Sequence, residues 1–265
     1  MSGFGPLLRK ELLEQTRTMR LYVVAIVFAL FAILSPLTAR YLPDIVKALA
    51  GSQLSLVGLI PTPTTADAVD QFLKNLTQFG ALTAILLAMG TVATEKERGT
   101  AAFVLTKPVS RAAFLAAKLV AIAANLLVAT AVAGALAYYY TAVLFEALPL
   151  GGYAAMCALL WLSLVVYAAL TFLGSTLTSS AAAGAGIGVV FLVVTGIVSA
   201  LPTVGRYMPE ALAVPARALA LGTPQPDLLA LGTAQPDLLG PVAVNVAMAL
   251  AAALLAWLSF RRQEL

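Results

Sequence analysis

The residues best equipped for chemistry lie in one polar segment, Glu95–Lys118, EKERGTAAFVLTKPVSRAAFLAAK, set between two long apolar runs. Its Glu95, Lys96, Glu97, Arg98, Lys107, Arg111 and Lys118 can offer charge-assisted hydrogen bonds to a soluble partner. That is the chemistry of docking, and catalysis finds little support. Histidine is absent, so Cys-His zinc sites and His-based proton transfer are excluded. The single cysteine, Cys157, sits inside an apolar run and can form no intrachain disulfide. No G-x-S-x-G elbow, H-E-x-x-H pair or pair of acids within a span is present, which counts against an enzyme working inside a membrane. There is also no G-x-x-x-x-G-K-[ST] loop, so this chain does not bind ATP in the P-loop manner and no cofactor of its own is expected.

The local grammar of the segment is helix, turn, helix. Gly99 stops the helix arriving from the left, and Thr100 can cap a short helix over Ala101–Leu105 that carries Phe103. Lys107 precedes Pro108, which biases it away from the helical region and makes a break. Ser110 stands where a cap restarts a helix through Phe114 and Lys118 into the next apolar run. The competing reading is an ordinary basic loop that only sets topology.

The elements that position this segment follow from composition. The chain has 265 residues, of which 61% are hydrophobic and 11% charged; soluble domains carry about 25% charged residues. A helix of about 20 apolar residues crosses the hydrocarbon core of a bilayer. The expected fold class is therefore an all-α polytopic membrane protein, one transmembrane domain over residues 1–265, with spans near 21–39, 72–94, 119–144, 153–173, 184–201 and 241–260. Residues 1–20 set Phe4, Leu7, Leu8 and Leu12 against Arg9, Lys10, Glu11, Glu14, Arg17 and Arg20, the pattern of an elbow helix with its apolar side in the lipid headgroups and its charged side in water. A cleaved signal peptide is the competing reading, but no small-x-small site follows before Pro36.

Two longer polar stretches, 40–71 and 202–240, are expected as outer loops. In the first, Val69, Phe72, Leu73 and Leu76 share a helical face with Thr65 or Asp67 as cap, and that helix runs on into span two. In the second, Ala211–Leu221 suits a short interfacial helix interrupted by Pro215, and the ten residues from Ala220 recur from Ala230 with one difference, Pro224 against Ala234. Residues 174–183 read as a small inner turn, and Gly184 and Gly188 form a small-residue face for close packing, within the chain or against a second copy. Eleven of the 16 lysines and arginines fall in the segments 1–20, 95–118 and 261–265, which puts both termini in the cytoplasm by the positive-inside rule. The basic balance thus reflects topology, and no nucleic-acid partner is implied.

The motif Glu95-x-Glu97-x-Gly99-Thr100, then Leu105-x-x-Pro108-Val109-Ser110-Arg111, then Phe114 and Lys118, resembles the loop after the second span in permease subunits of type-2, mainly exporter-type, ABC transporters. The resemblance implies that 95–118 is a coupling segment docking on a separate ABC ATPase subunit, with Glu95, Glu97, Arg98, Gly99, Thr100, Phe103, Leu105, Pro108, Ser110 and Arg111 at the contact. It implies a homodimer or a pairing with a related permease, membrane lipids around it, ATP held by the partner, and a bacterial or archaeal plasma membrane. It also implies a pathway lined by spans two and five, with Thr83, Met89, Thr91, Thr195 and Ser199 as its few polar points, suited to an amphipathic or lipid-like substrate. Between their ends the spans carry no Asp, Glu, Lys, Arg or His, which agrees with energy arriving from outside the membrane. The alternative within the same family is force transmission to a periplasmic partner without transport.

Overall fold

A computed structural model describes residues 3–50, 62–106, 109–222 and 238–263. Those residues form helices and connecting turns with no strand: α1 Phe4–Arg17, α2 Arg20–Ala50, α3 Thr65–Asn75, α4 Ala81–Ala88, α5 Ala93–Glu97, α6 Thr100–Leu105, α7 Arg111–Leu144, α8 Leu150–Leu177, α9 Ala181–Ser199, α10 Ala213–Leu221 and α11 Leu239–Arg261. One π-helical turn, Leu76–Gly80, joins α3 to α4. Six stretches are long and apolar enough to cross a membrane: Arg20–Val46, Thr65–Glu97, Arg111–Leu144, Leu150–Leu177, Ala181–Ser199 and Leu239–Arg261.

Helix α8 is the centre of the bundle. Residues Val166 to Thr176 are buried on every side of it, as a helix apolar all round must be. On α7, Ala117, Ala121, Ala129, Ala133 and Ala137 lie buried one or two turns apart, and Val24, Phe28 and Ala32 of α2 belong to the same buried cluster as the last three. Small side chains let helix backbones approach where lipid offers no hydrophobic drive.

Several expected loops are helical. Helix α2 runs through Pro36 and Pro43 as far as Ala50 rather than ending near residue 39. Pro36 removes one N–H donor, and the turn before it gains a Ser35 hydroxyl donating to the Phe31 carbonyl. In turn, Asn75 Nδ2 donates to Ser35 Oγ at 2.9 Å, which ties α3 to α2. The cap of α3 is Thr64: its hydroxyl accepts from the Asp67 N–H, and the Thr64 N–H donates to the Asp67 carboxylate at 2.7 Å. Helix α8 extends to Leu177, shortening the inner turn. Pro215 does not interrupt α10, because it falls in the first turn, where no N–H partner is lost. Most of the repeated segment, residues 223–237, lies outside the described residues.

The connections gather at two ends. One end holds α1, α5, α6 and the last turns of α8 and α11; the other holds α3, α10 and the 3-10 turns Gly205–Tyr207 and Pro209–Leu212. At the second end α10 lies against the start of α8, where a Cβ on Gly152 would stand 2.0 Å from the Leu219 carbonyl oxygen. Only glycine permits that approach.

Candidate functional site

The segment 95–118 is built from short pieces with identifiable stops. Helix α5 ends at Glu97, and Gly99 follows in the left-handed region at φ 69°, its N–H donating to the Lys96 carbonyl. Helix α6 begins at Thr100, whose hydroxyl turns back to donate to the Glu95 carbonyl at 3.2 Å. Ser110 Oγ accepts from the Ala113 N–H and starts α7. Lys107 and Pro108 lie outside the described residues, as does the side chain of Leu105.

This segment has an inner and an outer side. Glu97, Arg98, Gly99 and Thr100 are exposed; Phe103 is 69% exposed, while Ala101 is fully buried. The expectation that Glu95, Lys96, Arg111 and Lys118 are available to a soluble partner needs correction. Lys96 Nζ donates to the Thr176 carbonyl at 3.0 Å. Arg111 donates to the Phe260, Arg261 and Gln263 carbonyls at 3.0, 3.0 and 2.9 Å. Both cations therefore satisfy carbonyls that a helix leaves unpaired at its C-terminus. In the same region, Ser175 Oγ accepts from the Val92 and Ala93 N–H groups at 3.1 and 3.0 Å, capping α5 from another helix.

Lys118 is the most enclosed charge among the described residues, 2% exposed. Its Nζ sits 3.1 Å from Glu11 Oε1 on α1 and 2.8 Å from Glu95 Oε1. Lys10 adds contacts to Glu11, Glu14 and Glu95 at 3.0, 3.1 and 3.5 Å. Glu11, Glu14 and Glu95 bring carboxylate oxygens within 4.8 Å of one another, and the two ammonium groups fill the place a cation would take. Alongside, Asn125 Nδ2 donates to Gln15 Oε1. So α1 turns its Glu11 and Gln15 toward α7 and leaves Leu12 and Leu13 exposed. The sequence pattern had put the whole charged face in water. Burying these groups demands partners, and Glu11, Gln15, Lys118 and Asn125 each find one across helices far apart in the chain.

A second feature is a groove of about 700 Å³ between the second span and α9–α10. Leu73, Leu82, Leu192, Val193 and Val214 form its apolar walls, and Asp70, Lys74, Gln78, Glu210 and Arg217 its polar points. Arg217 pairs with Asp70. The Thr195 hydroxyl reaches Glu210 Oε1 at 2.9 Å. The polar points expected from the spans are placed otherwise. Thr83 and Met89 line a separate groove beside the start of α2, and Thr91 and Ser199 bond carbonyls of their own helices. Glu210 was not legible as a site residue: it stands in a loop in the sequence, and only the 3-10 turn after Pro209 folds it back on α9.

Gly184 and Gly188 seat α9 within this same chain. A Cβ at Gly184 would lie 2.6 Å from the Met89 carbonyl oxygen, and one at Gly188 would lie 2.3 Å from Thr171 Oγ1 and 2.9 Å from Ile85 Cγ2. Their face is thus occupied by α8 and the end of the second span.

Comparison with known proteins gives the family. The family described as "ABC-2 family transporter protein" matches residues 6–265. The chain is also similar to the transmembrane protein YxlG of Bacillus subtilis (strain 168), 29% identical over 219 residues that cover 81% of this chain and 84% of that one. Six membrane-crossing stretches and a family match over nearly the whole sequence lead to one statement: this chain belongs to the ABC-2 family of transporter proteins and is a membrane subunit of a transporter.

Proposed function

We propose that this subunit forms the pathway of an ABC exporter in the plasma membrane, with both termini in the cytoplasm, pairs with a second permease copy, and is driven by a separate ATPase docked on the outer side of 95–118. The observation that carries this reading is the division of that segment. Glu97, Arg98, Thr100 and Phe103 face outward, while Glu95, Lys96, Arg111 and Lys118 fasten it to α1, α7, α8 and α11. A push on α6 therefore reaches four helices at once through hydrogen-bonded contacts, the rigid-body transmission that domain closure needs. The groove between the second span and α9 supplies an apolar passage wall with polar points at one end. No catalytic role is assigned to this chain.

The test is recovery of partners. Affinity purification of the tagged chain in mild detergent, followed by mass spectrometry, is expected to bring down a subunit with a P-loop and an ABC signature. Purification of an active chain with no nucleotide-hydrolysing companion defeats the proposal. Orientation is checked separately. In a Cys157→Ala background, Thr233→Cys is expected to react with an impermeant maleimide added to intact cells. Labelling only after permeabilisation would reverse the assigned topology.

A further inference from the structure

The groove between the second span and α9–α10 carries four ionisable side chains, and they are not equivalent. Asp70 and Arg217 pair with each other at the rim, where their side chains are 46% and 32% exposed. Lys74 is exposed. Glu210 lies against α9 and no ion pair reaches it among the described residues. Its Oε1 accepts from Thr195 Oγ1 at 2.9 Å, and its Oε2 is buried with no hydrogen-bond partner among the described residues. A buried carboxylate oxygen without a donor costs free energy unless something else supplies one.

The neighbours fix the direction of the hydrogens. Thr195 has one hydroxyl hydrogen and four possible acceptors in reach: the Phe191 and Leu192 carbonyls, the Tyr167 hydroxyl and Glu210. An ionised carboxylate accepts only, so the hydroxyl hydrogen goes to Glu210, the charge-assisted bond being the stronger. Tyr167 OH, 3.2 Å from Thr195 Oγ1, then donates to Thr195. This Tyr167–Thr195–Glu210 chain holds the carboxylate in place and leaves its second oxygen for a donor from elsewhere. Gly196 adds no side chain there: the nearest atom to a Cβ built on it is Glu210 Oε1, at 3.9 Å.

We propose that Glu210 receives the ammonium group of an amphipathic amine, whose apolar body lies along Leu82, Leu192 and Val193. An ammonium supplies both the missing N–H donor and the missing counter-charge. A divalent metal fits poorly, since Ca²⁺ and Mg²⁺ take six or more oxygens, Zn²⁺ prefers His and Cys ligands, and these walls are apolar. An anion would meet the lone pairs of Glu210. This inference rests on reading the chain as a passage, and it names the class of molecule that enters.

The test uses three probes of one shape: 4-phenylbutylamine, 4-phenylbutanol and 4-phenylbutyrate, labelled, with the purified assembly in nanodiscs of neutral lipid and binding read by equilibrium dialysis. The amine is expected to bind saturably and at least about tenfold more tightly than the alcohol, with no saturable binding of the acid. Glu210→Gln keeps an oxygen to accept the Thr195 bond while removing the charge, and is expected to bring the amine down to the level of the alcohol. Equal binding of the three probes by the unaltered protein, or an amine affinity unchanged in E210Q, overturns the proposal. The probe comparison needs no variant, so a misfolded E210Q does not shield the idea. If a P-loop subunit co-purifies but the probes are not discriminated, the amine site falls and the exporter reading stands. Discrimination without any ATPase partner leaves the site and sinks the exporter.

Discussion

Lys118→Met is expected to destabilise the protein by about 3 kcal/mol, the lower end of what removing one partner of a buried ion pair costs. The lower end applies because Glu95 is 18% exposed and so partly hydrated. The reason for a large effect is the charge count at the site. Without Lys118, the three carboxylates of Glu11, Glu14 and Glu95 keep Lys10, which is 45% exposed, as their ion-pair partner, with Arg20 adding its charge near Glu14. Glu95 Oε2 already lacks a donor, so the lost ammonium cannot be replaced by rearrangement there. At about 2–4 °C per kcal/mol for a chain of this size, the melting midpoint falls by about 6–12 °C in detergent. Neutralising the partners as well, in Glu11→Gln/Glu95→Gln/Lys118→Met, is expected to recover more than half of the loss. A single variant that melts with the unaltered protein would show that these pairs do not hold α1 to the bundle.

The same cluster sets a pH window. Burial pushes the Glu14 carboxyl up, but Lys10, Lys118 and Arg20 outweigh it and hold Glu14 below its ordinary value of 4.5. Its contribution is complete above about 4.5 and is lost as pH falls through the lower folded value. Burial pulls the Lys10 ammonium down, yet Glu11, Glu95 and Glu14 together hold it above its ordinary value of 10.5. That contribution is complete below about 10.5 and is lost as pH rises through the folded value. The midpoint is therefore expected to show a plateau between about pH 5 and 10 as far as these two groups go. Lys118→Met should make the acid loss shallower without moving its onset, since Lys118 is one of the charges holding Glu14 down and the onset is set by the unfolded value.

Phe103→Asp is expected to abolish recovery of the ATPase subunit while leaving the melting midpoint unchanged. An aromatic residue 69% exposed on a short helix suits the anchor of a docking surface, where such residues contribute about 2 kcal/mol or more. That corresponds to about a 30-fold weaker complex. Being on the surface, the change itself costs within about 0.5 kcal/mol of stability. Arg98→Glu acts on the same face and is expected to slow association and make it less sensitive to salt. Arg111→Glu provides the contrast. It removes the donor for three carbonyls at the end of α11 and is expected to lower the midpoint before it affects docking. Undiminished co-purification with F103D would place the ATPase elsewhere.

What could be read from the chain alone is what depends on local pattern. Apolar runs long enough to cross a bilayer announce a six-span helical protein, because the membrane forces backbone groups to pair within each helix. Gly99 as a helix stop and Ser110 as a cap are equally local, and the motif around them carries the family. Which side of a helix each polar group faces is another matter. Lys118 looks like any basic residue beside a loop until α1 brings Glu11 against it from 107 positions away. Arg111 looks like a docking charge until α11 ends beneath it, and Glu210 looks like a loop acid until the turn after Pro209 folds it onto Thr195. A buried charge is decided by partners that only close packing supplies, and in this chain those partners come from distant segments. Pattern set the number of membrane-crossing stretches; packing set how far the helices run and which ions they share.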